Sequence, residues 1–451
     1  MSAQAPYAGG PYAGSSAAAT APSPITPLIP TLQLVFSPTT GPYETPTWVD
    51  ITSRLRSRTP ITIRRGREHA LDEITAGTMT LELDNQDRVF DPSYASGAYY
   101  GNLGPNTLIQ LRAVWETVTY YLFTGLIDGL EQRYDRSDRD ATVTVRCTDL
   151  FRLLARRDFR PRNTFTLDRT DGSSRLDNGQ HFADNIPALE RQFTGDRIDH
   201  VLHVIGIDTV SVDQGGSSLV TEAPDDEFVL PYLNRCARTD LGRFFIAANG
   251  TPTFHDRHHA RTATVGATSQ ITLGDSSAHT VRYHDLRFDP ADERVMVNHA
   301  RCGRAGKQPA VARDLTSIDR HGEQTADRED LLFADMLDAA DQARYLVARY
   351  ASPSARIDRV VLKPRRFPSS LWPAVLGYEL GTRVTVERTP MDIGSVFSQA
   401  CLIEAVEHRI DLSRLDWTTS WSLAKADTTT YFRLDRTDGS SRCDNNVLLG
   451  Y

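Results

Sequence analysis

Apolar and polar residues alternate with a period of two along much of this chain, most regularly between Thr78 and Asp84, where Met79, Leu81 and Leu83 lie on one side and Thr78, Thr80, Glu82 and Asp84 on the other. That pattern predicts a half-buried β-strand. Upstream, Ile61 and Ile63 alternate with Thr62 and Arg64, so two neighbouring strands can pair with their apolar faces turned the same way. A turn is predicted at Asp84-Asn85-Gln86-Asp87. The same alternation marks Leu32, Leu34 and Phe36, the run Trp48 to Thr52, then Ile109, Leu111, Ala113 and Trp115, then Tyr121 to Ile127, and then Val143, Val145 and Cys147. A short helix over Asp149 to Leu154 closes the series. Many short strands and one small helix predict a compact β-barrel over residues 31–155, because closure removes exposed edges.

The texture changes over residues 156–285. Ile198, Val201, Leu202 and Ile205 recur at helical spacing, with Gly206 as the stop. A second helix fits Asp225 to Leu241, with Val229, Leu233 and Cys236 on one face and Gly242 as its cap. Phe244 to Ile246 and Thr253-Phe254 then flank Asn249-Gly250, the dipeptide of a type I′ hairpin. This stretch reads as a small α+β insert. Strand patterns return over residues 286–425, at Val295 to Val297, Arg359 to Leu362, Arg383 to Val386, Leu402 to Val406 and Trp417 to Leu423. One helix, over residues 333–351, interrupts them. The predicted fold is therefore mainly β, with two tube-like β-barrels in one chain separated by a small α+β domain.

The two ends differ from the body. Residues 1–30 are rich in Ala, Pro and Gly and read as a flexible arm. Residues 426–451 read as a hairpin tail, because Leu434 to Asn445 (LDRTDGSSRCDN) repeats Leu167 to Asn178 (LDRTDGSSRLDN) with a single difference. Each copy places Asp-Gly between β-like arms, at Asp171-Gly172 and Asp438-Gly439, which predicts a small exposed hairpin. Asp168 and Asp435 recur at matching places and invite a calcium reading. The spacing lacks the alternating carboxylates and terminal bidentate acid of a calcium loop, so the hairpin is the adopted reading.

Composition narrows the function. With 451 residues, 40 % hydrophobic and 24 % charged, the chain can hold two or three domains with proper cores. Its net charge of -8 argues against a general binder of nucleic acid or anionic membrane. The five cysteines are odd in number and widely spaced, so neither a zinc site nor a disulfide framework is expected. No apolar run is long enough to span a membrane and no signal peptide is visible, so membrane insertion is not expected. His255, Asp256, His258 and His259 form the densest group of ligand-type residues, read as a solvated loop. No catalytic motif is present, and Asp319, His321 and Glu323 make only a scattered polar set, so no enzyme, cofactor or metal is expected. Arg64, Arg65 and Arg67 are the most notable basic cluster, open to readings as a solvated strand edge, an inter-subunit contact or a pore-facing patch. Tyr94, Tyr99 and Tyr100 read as surface or interface aromatics. With Trp372 they leave open a carbohydrate-binding role.

The succession WVDIT, ITIRRGR, LD, AGTMTLELDN, DR, FDP, LIQLRAVW, YYLFTGLID and ATVTVRCTDLFRLLA resembles the minor tail proteins of long-tailed phages and prophages of actinobacteria. More distantly it is similar to the late-control-D-like tail-hub family. LNRCARTDLGRFFIAANGTPTFHDR, ARYLVARYASP, LGTRVTVER and LIEAVEHRIDLSRLDWTTSWSL extend the resemblance over roughly residues 31–425. It implies a structural virion protein at the tail tip, with no enzymatic activity. Such hubs form a ring, commonly a homotrimer, whose two barrels per chain match a hexameric tube to threefold structures below. The implied partners are further copies of the chain, the tail tube or distal tail protein, the tape-measure protein, and fibre or receptor-binding proteins, with phage DNA only in transit. A hexameric Dit-like distal tail protein is the near alternative.

Overall fold

The computed structural model describes residues 29–134, 141–158, 165–167, 174–176, 192–221, 227–277, 279–292, 295–390, 395–426, 431–432 and 448–449. The fold is mainly β. Seven strands open the chain: β1 (Thr31–Ser37), β2 (Val49–Asp50), β3 (Ile61–Gly66), β4 (Thr75–Asp84), β5 (Leu108–Trp115), β6 (Val118–Tyr134) and β7 (Ala141–Thr148). They pair in the order β3-β4-β7-β6-β5-β1-β2. Alternation carries through to burial: Leu34, Phe36, Ile61, Ile63, Met79, Leu81, Leu83, Leu111, Val143 and Val145 all join one apolar core. Ile63 lies opposite Met79 in the antiparallel β3–β4 pair, as the two matching apolar faces require.

The turn after β4 is held by side chains. Asn85 is fully buried, and its Oδ1 accepts the Phe90 N–H at 2.9 Å, while Arg88 takes a positive φ of 56°. A short helix, Phe151–Leu154, follows β7.

β8 (Phe165–Leu167) and β9 (Ser174–Leu176) pair antiparallel, with Leu167 opposite Ser174. A second core forms around the helices Thr194–Val204 and Val229–Thr239, with β10 (Gln192–Phe193), β11 (Ser211–Val212), β12 (Ser218–Leu219), β13 (Arg243–Ile246) and β14 (Pro252–His255) beside them. Ile198, Val201, Leu202, Val229, Leu233 and Cys236 are buried in it. Asp225 and Asp226 lie outside the described residues. Two turn expectations are corrected. The residue in left-handed conformation after Val229–Thr239 is Leu241, at φ 54°, rather than Gly242. Gly242 is needed for space, since a β-carbon there would lie 2.7 Å from the His255 carbonyl oxygen. The β13–β14 connection is also longer than a two-residue type I′ turn: Gly250 N–H closes on Ala247 O at 2.9 Å, and within it Gly250 alone has positive φ.

β15 (Thr272–Leu273) and β16 (Asp285–Asp292) lead into a further unit in which β17 (His299–Cys302) pairs antiparallel with β18 (Ala310–Arg313) and parallel with β19 (Thr325–Arg328). The helix Met336–Tyr350 packs on this small sheet, burying Ala339, Ala343 and Leu346 against Ala300 and Cys302. It begins at Asp335, whose side chain accepts the Leu337 N–H at 2.9 Å. The expected strand Val295 to Val297 is not one. These residues are buried, Val295 in a turn and Met296 and Val297 in irregular backbone, and the strand starts at His299.

β20 (Ser354–Leu362), β21 (Arg383–Arg388), β22 (Phe397–Asp411) and β23 (Asp416–Lys425) complete the second strand-rich half, and β24 (Tyr431–Phe432) pairs with β25 (Leu448–Leu449). β22 pairs with β3, so both halves enter one largely antiparallel, 13-stranded sheet. Among the described residues no ladder closes either half on itself. Between the halves sits the helix Pro368–Gly377, apolar from Leu371 onward, with Ser369 in its first turn exposed. Trp372 and Leu376 join the first core, packing on Trp115 and Trp417, and Leu371 and Val375 join the second half's core with Val360, Val384, Ile403 and Trp421.

Candidate functional site

The ladder that joins the halves carries a group of buried charges. β3 is an interior strand, flanked by β4 and β22, so its arginines do not protect a solvated edge. Irregularities in pairing fall on both sides of the join, at Arg65 relative to β4 and at Glu404 relative to β23. Such bulges re-aim side chains without ending the sheet. Glu404 is 1 % exposed and accepts from two arginines, Arg67 Nε at 2.7 Å and Arg243 Nη2 at 2.6 Å. Burial works to raise the Glu404 pKa. The Arg243 and Arg67 guanidiniums outweigh it and hold the carboxyl below its ordinary value. Arg243 comes from β13, so this group ties the α+β insert to both halves.

Arg65, itself buried, donates to Glu379 through both terminal nitrogens, one at 2.9 Å. This is a bidentate pair that a lysine could not reproduce. Arg64 stays exposed, opposite Glu407 and 3.8 Å from Glu68. Of the three candidate arginines, two are therefore engaged inside the chain and Arg64 faces solvent. The signal for the rest lay in Leu402 to Val406, where one acid stands in an apolar strand and must find a cation once buried. Its partners are 337 and 161 residues away, and nothing local names them.

His408 lies beside this join, opposite Ile63 of β3. It is 2 % exposed, and its Nδ1 sits 2.9 Å from Thr419 Oγ1. Burial, with a smaller contribution from Arg65, pushes its pKa down to about 3, so the ring is neutral at physiological pH. The His255 group is not a solvated loop either. The His255 and His259 rings stack with centroids 3.5 Å apart, His259 Nδ1 is 2.7 Å from Asp213 Oδ2, and burial lowers the His255 pKa to about 3. Among the described residues, no three His, Cys, Asp or Glu side chains converge as a metal-binding group.

The aromatic candidates separate. Tyr99 packs edge-on against Phe36 at 4.8 Å and belongs to the first core. Tyr94 lies under the Arg88 guanidinium at 4.6 Å, and Tyr100 is exposed. Trp372 is fully buried, which removes it from any sugar-binding surface. In the repeated hairpins, the arms of the first copy pair antiparallel as expected, whereas Asp168, Asp171, Gly172, Asp435, Asp438 and Gly439 lie outside the described residues. The arm at residues 1–28 and most of the tail also lie outside them.

No family model matches the sequence, and no curated protein matches it. Solved structures do match by fold. The tail protein from Neisseria meningitidis MC58 superposes with a TM-score of 0.53 at 10 % identity, covering 88 % of this chain and 96 % of that one. The 43 kDa tail protein of prophage MuSo2 from Shewanella oneidensis gives 0.50 at 15 % identity, covering 88 % of this chain and 97 % of that one. The chain thus has the fold of phage tail proteins over nearly the whole length of both.

Proposed function

We propose that this chain is a structural component of a phage tail, the ring-shaped hub at the tail tip, whose two strand-rich halves act as the two tube-like barrels of a symmetry adaptor. The observation that carries this reading is the β3–β22 ladder: it fuses the two strand-rich halves side by side in one polypeptide. A few such chains around an axis would present twice as many similar units as there are subunits, which is how a threefold body meets a sixfold tube. The fold shared with two tail proteins supports the same role. In this reading the ring contacts the tail tube or distal tail protein on one side, and fibre or receptor-binding proteins on the other. The tape-measure protein and the DNA use its channel. Arg64 and Tyr100, exposed and uncommitted to the core, are residues that such a ring would draw on for contacts. The domain limits 31–155, 156–285 and 286–425 belong to this proposal too.

Native mass spectrometry and electron microscopy of the purified protein test it. A ring of three copies is the expected result. Six copies would indicate a Dit-like distal tail protein, and a monomer that never joins tails would end the proposal.

A further inference from the structure

Beside the charged join lies a cavity of about 150 Å³, whose wall is drawn from four separate stretches of the chain, within residues 67–74, 234–261, 328–350 and 402–425. Its cations include Arg67 after β3, Arg238 and Arg243 before and within β13, Arg328 at the end of β19, Arg349 in the helix Met336–Tyr350 and Lys425 at the end of β23. The carboxylates on the wall are already committed. Asp72 Oδ2 accepts the His69 N–H at 3.1 Å, Glu73 lies 3.2 Å from Arg238, and Glu404 is shared between Arg67 and Arg243. Neither the Arg328 guanidinium nor the Lys425 ammonium has a carboxylate partner among the described residues. Burial lowers the Arg328 pKa below its ordinary value against the opposing effects of Cys302 and Tyr350, with Arg238 and Arg67 adding smaller effects in the lowering direction. A half-buried guanidinium among like charges is costly unless an anion offsets it.

We propose that this cavity binds a tetrahedral oxyanion of the phosphate class, held by Arg328 and by Lys425. The Arg328 guanidinium, half-buried without a carboxylate partner, together with the exposed Lys425 ammonium matches a dianion better than a single carboxylate, and the guanidinium fork suits phosphate oxygens. Because β19, β13, β23 and the segment after β3 all border the wall, an anion there would add a further tie between segments already joined by the β3–β22 ladder and the Glu404 ion pairs. The inference does not depend on the tail role.

The test is calorimetric titration of the full-length protein with inorganic phosphate, in chloride buffer of matched ionic strength, with thermal unfolding alongside. Saturable heat and a raised Tm are expected. Arg328→Gln should weaken binding at least about tenfold and Lys425→Gln by less, whereas Arg64→Gln, on the exposed face of β3, should leave it unchanged. Glycerol phosphate distinguishes the source: tighter binding than inorganic phosphate points to a phosphoryl group on an organic molecule, and weaker binding to the free ion. No saturable heat with either probe, or equal affinity in wild type and Lys425→Gln, overturns the proposal. That second comparison stands even if Arg328→Gln does not fold.

Discussion

Gly66 faces Glu404 so closely that a β-carbon on Gly66 would lie 2.2 Å from the Glu404 carbonyl oxygen. Gly66 also has φ 102°, a conformation that side chains disfavour. Gly66→Ala is therefore expected to destabilise the protein by more than the roughly 1–3 kcal/mol of backbone strain alone, because β3 must also move away from β22. Chemical denaturation, followed by tryptophan fluorescence, measures the loss. Unchanged stability would show that the join is not as tight as described.

Removing the acid from the buried triad should be more harmful than removing an exposed one. Glu404→Gln leaves Arg67 and Arg243 buried without a counter-charge, and is expected to cost about 3–5 kcal/mol. Glu68→Gln, in the exposed pair with Arg64, should change stability by less than about 1 kcal/mol. Equal effects in a urea melt would contradict the described burial.

His408 makes stability fall toward acid. Its folded pKa, about 3, is below its ordinary value of 6.5, so the unfolded chain binds more protons between those values. Its contribution is present above pH 6.5 and is lost as pH falls toward 3. His408→Gln should flatten that part of a Tm-against-pH profile, whatever it does to Tm at pH 8. A profile as steep as that of wild type would remove His408 as a cause.

Leu83 is 1 % exposed on β4, facing the first core. Leu83→Asp buries a carboxylate with no cation facing it, and should abolish soluble expression, since the carboxylate must be neutralised or the core opened. Soluble, folded Leu83→Asp protein with a wild-type circular dichroism spectrum would refute the core assignment.

How much of this was legible depended on range. Met79, Leu81 and Leu83 announced their strand because one face meets core and the other does not, and the helix Met336–Tyr350 announced its stripe for the same reason. The helix Pro368–Gly377 gave no periodicity, because Trp372 and Leu376 pack into one core while Leu371 and Val375 pack into another, and Pro373 argued against a helix. Its apolar run was the available signal. At the join, Arg65 and Arg67 were recognisable as notable. Their engagement with Glu379 and Glu404 was not, since pairing across more than 300 residues leaves no local trace.

The ladder between β3 and β22 also sets an order of events during synthesis. β3 is made early, yet its partner leaves the ribosome only after most of the chain has been translated, so the amino-terminal strands must wait with one flank unpaired. A nascent chain in that state carries an open strand flank, the kind of edge to which another unfinished chain could add a strand. Completion of the last long strands thus ends that exposure, and the sheet is whole only once β22 is in place.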